Sequence, residues 1–160
     1  MLITNFQAQA FGTNCWILAT DRGEECIVVD PGMPNVSQEL SEKLTEFNLK
    51  PVAILVTHGH LDHTFSVQPI ADGYGIPAMI HSADRELFLH PERAHGAEFI
   101  AQLAGIQWHE AKEVVELNDN QEFAHKMAKK AYEKFFNLYS ADVVSKRLNN
   151  MLQEISNKKR

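Results

Sequence analysis

Within the seven residues Thr57-His58-Gly59-His60-Leu61-Asp62-His63, three imidazoles and one carboxylate stand at fixed spacing. In an extended chain, residues two apart point the same way, so His58, His60 and Asp62 line one side of such a stretch. Gly59, between the first two histidines, permits a tight backbone path. A helical turn straight afterwards brings His63 round beside Asp62 and makes two ligand pairs. Nitrogen and carboxylate donors together suit zinc, with iron or manganese as alternatives, and two pairs so close suit two ions sharing a site. The competing reading is a polar surface loop. Four donors in the order H-x-H-x-D-H directly after an apolar run favour the metal.

That apolar run, Val52-Ala53-Ile54-Leu55-Val56, reads as a buried strand, which makes the ligands emerge at a strand end. Upstream, Leu2-Ile3 with Phe6, then Cys15 to Ala19, then Cys26 to Val29 read as three short strands. Phe11-Gly12-Thr13-Asn14 and the charged turn Asp21-Arg22-Gly23-Glu24-Glu25 separate them, so a meander is the simplest pairing. Asp30-Pro31-Gly32 stops the third strand, and Asn35 or Ser37 is placed to cap a helix with Val36, Leu40, Leu44 and Phe47 on one face. Downstream, Phe65 to Tyr74 reads as helix and Ala78-Met79-Ile80 as strand, with Ser82 capping a helix from Ala83 to about Leu89. Strand, helix, strand order predicts parallel pairing in this half of the sheet. Glu92 to Ala104 has helical spacing, with Phe99, Ile100, Leu103 and Ala104 on one side, and Val114-Val115-Glu116-Leu117 is a last strand.

Together these residues resemble the metallo-β-lactamase fold hydrolases, whose signature is met by His58, His60, Asp62 and His63. Thr13-Asn14-Cys15-Trp16, the strand Ile27-Val28-Val29 closed by Asp30-Pro31-Gly32, and His81-Ser82-Ala83-Asp84 resemble the glyoxalase II-like (hydroxyacylglutathione hydrolase-like) branch. The likeness runs from Met1 to about Asn118. It implies an α/β fold: residues 1–120 as the amino-terminal half of an αββα sandwich, one half-sheet with flanking helices. It also implies a zinc-dependent hydrolase acting on a small-molecule thioester through a metal-bound hydroxide. His58 and His60 would hold one ion, Asp62 and His63 the second, and Asp62 would serve in catalysis as well. Asp30 is either a turn former or, as the family implies, a support that holds a ligand histidine by its other ring nitrogen.

The family continues with a further strand, a glycine-flanked histidine, a bridging aspartate and a last histidine, and none of these follows Asn118 here. Each ion is left with two ligands where a catalytic zinc takes three. The alternative function is therefore a truncated or chimeric, non-catalytic metal-binding remnant acting as an interaction module. Half a sandwich also leaves one sheet face apolar, to be covered by the tail helices, a second copy or a partner chain.

Residues 121–160 read as a basic, amphipathic helical tail. Ala124, Met127, Ala128, Ala131, Phe135 and Leu138 form one stripe; Val144, Leu148, Met151, Leu152 and Ile155 form another after Ser140. The tail weakly resembles the carboxy-terminal helices of two-Rossmann-domain glycosyltransferases. Residues 1–125 carry 18 acids and 6 bases, whereas 126–160 carry 3 acids and 9 bases, so the −6 total hides two segments of opposite sign. Basic helices could face nucleic acid, but without an aromatic stacking pattern a solvated face is the better reading. His125, inside this run, reads as an exposed helical residue. His81, His90, His95 and His109 fall at irregular spacing and read as solvated or structural. Cys15 and Cys26 are too few for a disulfide framework and read as buried free thiols, a mutual disulfide or metal ligation being the alternatives. With 160 residues, 44% of them hydrophobic, no membrane-length apolar run and no signal-like amino terminus, the expectation is a cytoplasmic α/β domain.

Overall fold

Alternating burial builds the first half of the sheet. Strand β1 (Leu2–Gln7) pairs antiparallel with β2 (Asn14–Ala19), which pairs antiparallel with β3 (Glu25–Val29). In β2, Cys15, Ile17 and Ala19 are buried while Asn14 and Trp16 are exposed, the period-2 signature of a strand with one face inward. The expected meander is therefore present. The computed structural model describes residues 1–33, 36–95 and 109–119.

From β3 onward the sheet is parallel: β4 (Lys50–Leu55) joins β3, β5 (Ala78–His81) joins β4, and β6 (Val114–Leu117) joins β5. Strand order equals chain order, β1-β2-β3-β4-β5-β6. Helices α1 (Ser37–Phe47) and α3 (Val67–Tyr74) make crossovers, and a four-residue helix α2 (Leu61–Thr64) follows β4. A 3₁₀ turn (Ser82–Asp84), α4 (Arg85–Leu89) and α5 (Glu92–His95) follow β5.

The core lies between α1, α3 and one face of the sheet. Ile17, Val28, Ile54, Ile80 and Leu40 are fully buried there, beside Val36, Leu44, Val67 and Ile70. Full burial of each large aliphatic side chain contributes about 1.5–3 kcal/mol relative to exposure. Helix α1 ends at Asn48, which adopts a left-handed conformation (φ 53) and donates its N–H to the carbonyls of Leu44 and Thr45. The opposite sheet face carries two cross-strand rows. One runs Ile3, Leu18, Ile27, Ala53; the other runs Trp16, Val29, Leu55, Met79, Val115. Ile3, Trp16 and Ile27 are exposed, at 51%, 41% and 37%.

Several local expectations are corrected. Ser37 does not cap α1: it is the first helical residue, and the cap position is Val36, without a side-chain hydrogen bond. Ser82 does not cap the helix after β5 either. The His81 ring accepts the Ala83 N–H (3.2 Å) and the segment starts as a 3₁₀ turn, so a histidine takes the position expected of a hydroxyl. The two cysteines are buried and unbonded to each other. Asn35, the helix expected beyond His95 and the tail from residue 121, with its stripes and His125, lie outside the described residues. Among the described residues, no helix is long and apolar enough to cross a membrane.

Candidate metal centre

The carboxyl ends of β3 and β4 deliver the residues that can do chemistry. Asp30 follows β3 and the ligand stretch follows β4, so a parallel pair sets both at one rim of the sheet. Asp30 adopts a left-handed conformation (φ 48), which Asp tolerates better than most residues. Its N–H is fixed on the Leu55 carbonyl (3.0 Å), so the backbones of the two strand ends are tied. The Asp30 carboxylate then accepts from the Thr57 N–H (2.8 Å) and the Thr57 hydroxyl (2.6 Å). It is 4% exposed, and its Oδ2 lies 3.0 Å from His63 Nδ1. That last contact is a close approach rather than an aligned hydrogen bond, since Nδ1 has no hydrogen-bonded partner.

His60 is extended (ψ 146) and starts α2, accepting the N–H groups of His63 (3.0 Å) and Thr64 (3.1 Å) on its carbonyl. The chain turns helical at the expected point, and Asp62 and His63 become neighbours on the first turn. His58 Nε2 and His60 Nδ1 are 3.2 Å apart; His63 Nε2 and Asp62 Oδ2 are 3.3 Å apart. The ring centroids of His58 and His63 lie 4.1 Å apart in a tilted arrangement (53°), and those of His58 and His60 4.6 Å apart edge to face (71°). All four side chains thus meet at one strand end. Burial first, and then the neighbouring His63 and His60, hold the His58 imidazole below its usual pKa. This favours the neutral form, which is the form that ligates.

The donors fit a metal in kind and in pairwise spacing. Tetrahedral zinc with bonds of about 2.0–2.1 Å sets adjacent ligand atoms about 3.3–3.4 Å apart. The His58–His60 and Asp62–His63 separations of 3.2 and 3.3 Å match that figure. They do not fit in number: among the described residues, no group of three or more His, Cys, Asp or Glu is arranged to hold one ion.

Three contacts that brace the stretch have no signal in the metal-binding pattern. The Thr13 hydroxyl, at the start of β2, donates to Asp62 Oδ2 at 2.8 Å. Thr57 is the partner of Asp30 just described. Gly59 is buried against α4: a Cβ there would stand 2.5 Å from Leu87 Cβ and 3.0 Å from the Asp84 carbonyl oxygen. Helix α4 is in turn held to β6 and the segment before it by Arg85, whose guanidinium pairs with Glu110 and with Glu116 (3.3 Å). Of the remaining histidines, His81 ends β5 and accepts the Ala83 N–H, and His90 is exposed with its Nδ1 3.1 Å from Glu92. His109 is exposed, and the side chain of His95 lies outside the described residues.

A family model described as the metallo-beta-lactamase superfamily matches residues 8–133. Over 118 residues the chain is 39% identical to an uncharacterized protein of Mycobacterium tuberculosis, covering 74% of this chain and 52% of that protein. It is 42% identical over 59 residues to the hydroxyacylglutathione hydrolase of Buchnera aphidicola, covering 37% of this chain and 22% of that enzyme. Among solved structures, TTHA1623 in a di-iron-bound form superposes with a TM-score of 0.53 at 25% identity, over 71% of this chain and 53% of the other. The chain spans about half the length of the curated relatives it matches over 118 residues.

Proposed function

Since this chain belongs to the metallo-beta-lactamase superfamily, we propose that it is built for metal-dependent hydrolysis of a small-molecule thioester of the hydroxyacylglutathione type. The observation that carries the proposal is the convergence of His58, His60, His63 and Asp62 at the end of β4, in two pairs at ligand spacing. The partial identity to a hydroxyacylglutathione hydrolase supports the thioester class. The donor set suits zinc, and the di-iron-bound neighbour supports iron as the second choice.

In this reading His58 and His60 hold one ion, and Asp62 and His63 a second. Bound there, such ions would supply Lewis acidity towards a water and a carbonyl. The protein's own groups do the positioning. Asp30 Oδ2 sits against His63 Nδ1, which leaves Nε2 as the ligand nitrogen. The same carboxylate holds the Thr57 N–H and hydroxyl, so the first residue of the stretch cannot swing away from β3. In the same reading Asp62 would serve in catalysis as well as in binding the second ion. The buried free thiols accord with a cytoplasmic setting, where thiols stay reduced.

The second reading is a truncated or chimeric metal-binding remnant without catalysis, in which the donor pairs bind metal and the chain acts as an interaction module. The exposed Ile3, Trp16 and Ile27 of the two apolar rows would then serve self-association with a second copy. Elemental analysis of purified chain together with a glutathione thioester assay separates the readings. The hydrolase reading expects one or more zinc or iron ions per chain and turnover abolished by His58→Ala. Less than one metal per chain with no turnover removes it.

A further inference from the structure

We propose that Thr13 is a positioning residue of this centre, whose hydroxyl fixes the Asp62 oxygen that takes part in metal binding; the proposal rests on the metal-site reading above. Asp62 is the one acidic donor of the stretch, and it sits on the first turn of a helix only four residues long. Such a helix offers little rigidity of its own, since a single turn fixes several dihedral angles for one hydrogen bond. Asp62 is also partly exposed, with a side-chain accessibility of 26%. Its carboxylate therefore needs an external partner to keep one rotamer. The Thr13 hydroxyl is that partner: it donates to Oδ2 at 2.8 Å, across 49 residues of sequence.

Oδ2 is also the oxygen that stands 3.3 Å from His63 Nε2. A carboxylate oxygen carries two lone-pair sites. Thr13 occupies one, and the other is left on the oxygen paired with His63. The hydroxyl thus fixes the position of Oδ2 relative to His63 Nε2.

Thr13 itself is well anchored. It is 6% exposed, and its carbonyl accepts the Ala8 N–H at 2.9 Å across a turn in which Phe11 and Gly12 both have positive φ (63 and 67). Gln7 clamps the same turn by donating its side-chain amide to the Gly12 carbonyl at 3.0 Å. Gly32, where a Cβ would come within 3.0 Å of both Ala8 Cβ and Cys15 Sγ and 3.7 Å of the Asp62 carbonyl oxygen, lets this turn lie close to the ligand helix. The antiparallel half of the sheet thereby supplies a support for a site otherwise built by the parallel half.

The test has a metal-free and a metal-loaded arm on the full chain. With chelator present, urea unfolding of wild type, Thr13→Val, Asp62→Ala and the double variant measures their coupling. We expect the double variant to be about fivefold more stable, in unfolding equilibrium constant, than the sum of the single effects, as for a hydrogen bond of about 1 kcal/mol. In the second arm, Zn²⁺ alone is titrated in competition with a chromophoric chelator. Thr13→Val should weaken Zn²⁺ binding by about ten- to a hundredfold, and Thr13→Ser, which keeps the hydroxyl, by no more than about threefold. If Thr13→Val does not fold, the Ser and Ala variants carry the same comparison. Absence of coupling overturns the proposal whether or not zinc binds. Equal zinc affinity in wild type and Thr13→Val overturns it too. Intact coupling in a wild-type chain that binds no zinc removes the metal-site reading, and with it the positioning role.

Discussion

Substituting Gly59 by alanine isolates the contact between the ligand stretch and α4. The φ of Gly59 is not in the left-handed region, so the backbone accepts an L-residue without strain. On chain entropy alone the change should stabilise by about 0.4–1 kcal/mol. Opposing it, the new Cβ would lie 2.5 Å from Leu87 Cβ and 3.0 Å from the Asp84 carbonyl oxygen. Carbon atoms in contact prefer about 3.5–4.0 Å, so stretch and helix must separate by about 1 Å. Both obstructing atoms belong to or adjoin the main chain of a segment that Arg85 ties to Glu110 and Glu116, and neither can rotate away. Overpacking of this kind costs about 1–3 kcal/mol and outweighs the entropic gain, for a net loss of about 1–2 kcal/mol. Urea unfolding in chelator reads the loss directly. Gly73→Ala is the internal control: it lies within α3 and its added Cβ meets nothing within 4 Å, so that variant should gain about 0.5–1 kcal/mol. Leu87→Ala added to Gly59→Ala should not rescue, because the obstructing Cβ remains. A Gly59→Ala variant as stable as wild type would refute the bracing by α4.

Other perturbations follow from the same contacts. Asp30→Ala strips Thr57 of its partly buried acceptor and places alanine at φ 48, for a loss of about 2–4 kcal/mol, while Asp30→Asn loses less; calorimetry ranks the two, and equal melting temperatures would count against the link between β3 and the ligand stretch. Burial pushes the Cys15 thiol up to about 12, with the Asp30 charge adding to it, and the Cys26 thiol up to about 11, from a usual 9.0. A thiol whose folded pKa is raised stabilises the fold fully below pH 9 and loses that contribution as pH rises through 11 to 12. Urea midpoints should therefore fall above pH 9, less steeply in Cys26→Ala, and neither thiol should react with a disulfide reagent in native protein at pH 8. Because Ile3 and Ile27 are exposed and flank Leu18 on one face, wild type should sediment as a dimer or larger and Ile3→Lys/Ile27→Lys as a monomer; a wild-type monomer at all concentrations contradicts that.

The sequence made the scaffold legible wherever a face alternates. Cys15, Ile17 and Ala19 point to a half-buried strand on period alone, and Leu40 and Leu44 mark the buried side of α1. The ligand residues were legible because their chemistry is local: four donors in six positions need no knowledge of the fold. Of their supports, Asp30 was legible only through the family resemblance and Thr13 and Leu87 not at all, because these are distant in sequence and ordinary in type. Thr13 is one threonine in a turn, and Leu87 one leucine in a helix; only packing brings either to the stretch. Cap residues also misled, since Ser37 and Ser82 carry the preferred side chain while Val36 and His81 occupy the cap positions. There tertiary placement overrode a local preference worth about 1 kcal/mol.

The sheet's unshuffled strand order sets a timetable for synthesis. Each strand pairs with the one made just before it, so the sheet can grow at a single edge as the chain leaves the ribosome, with no early strand waiting for a late partner. Thr13 and Asp30 are translated before Asp62 and Thr57, the residues that they hold, whereas Leu87 comes after them. The nascent ligand stretch is therefore supported on one flank before α4 closes the other.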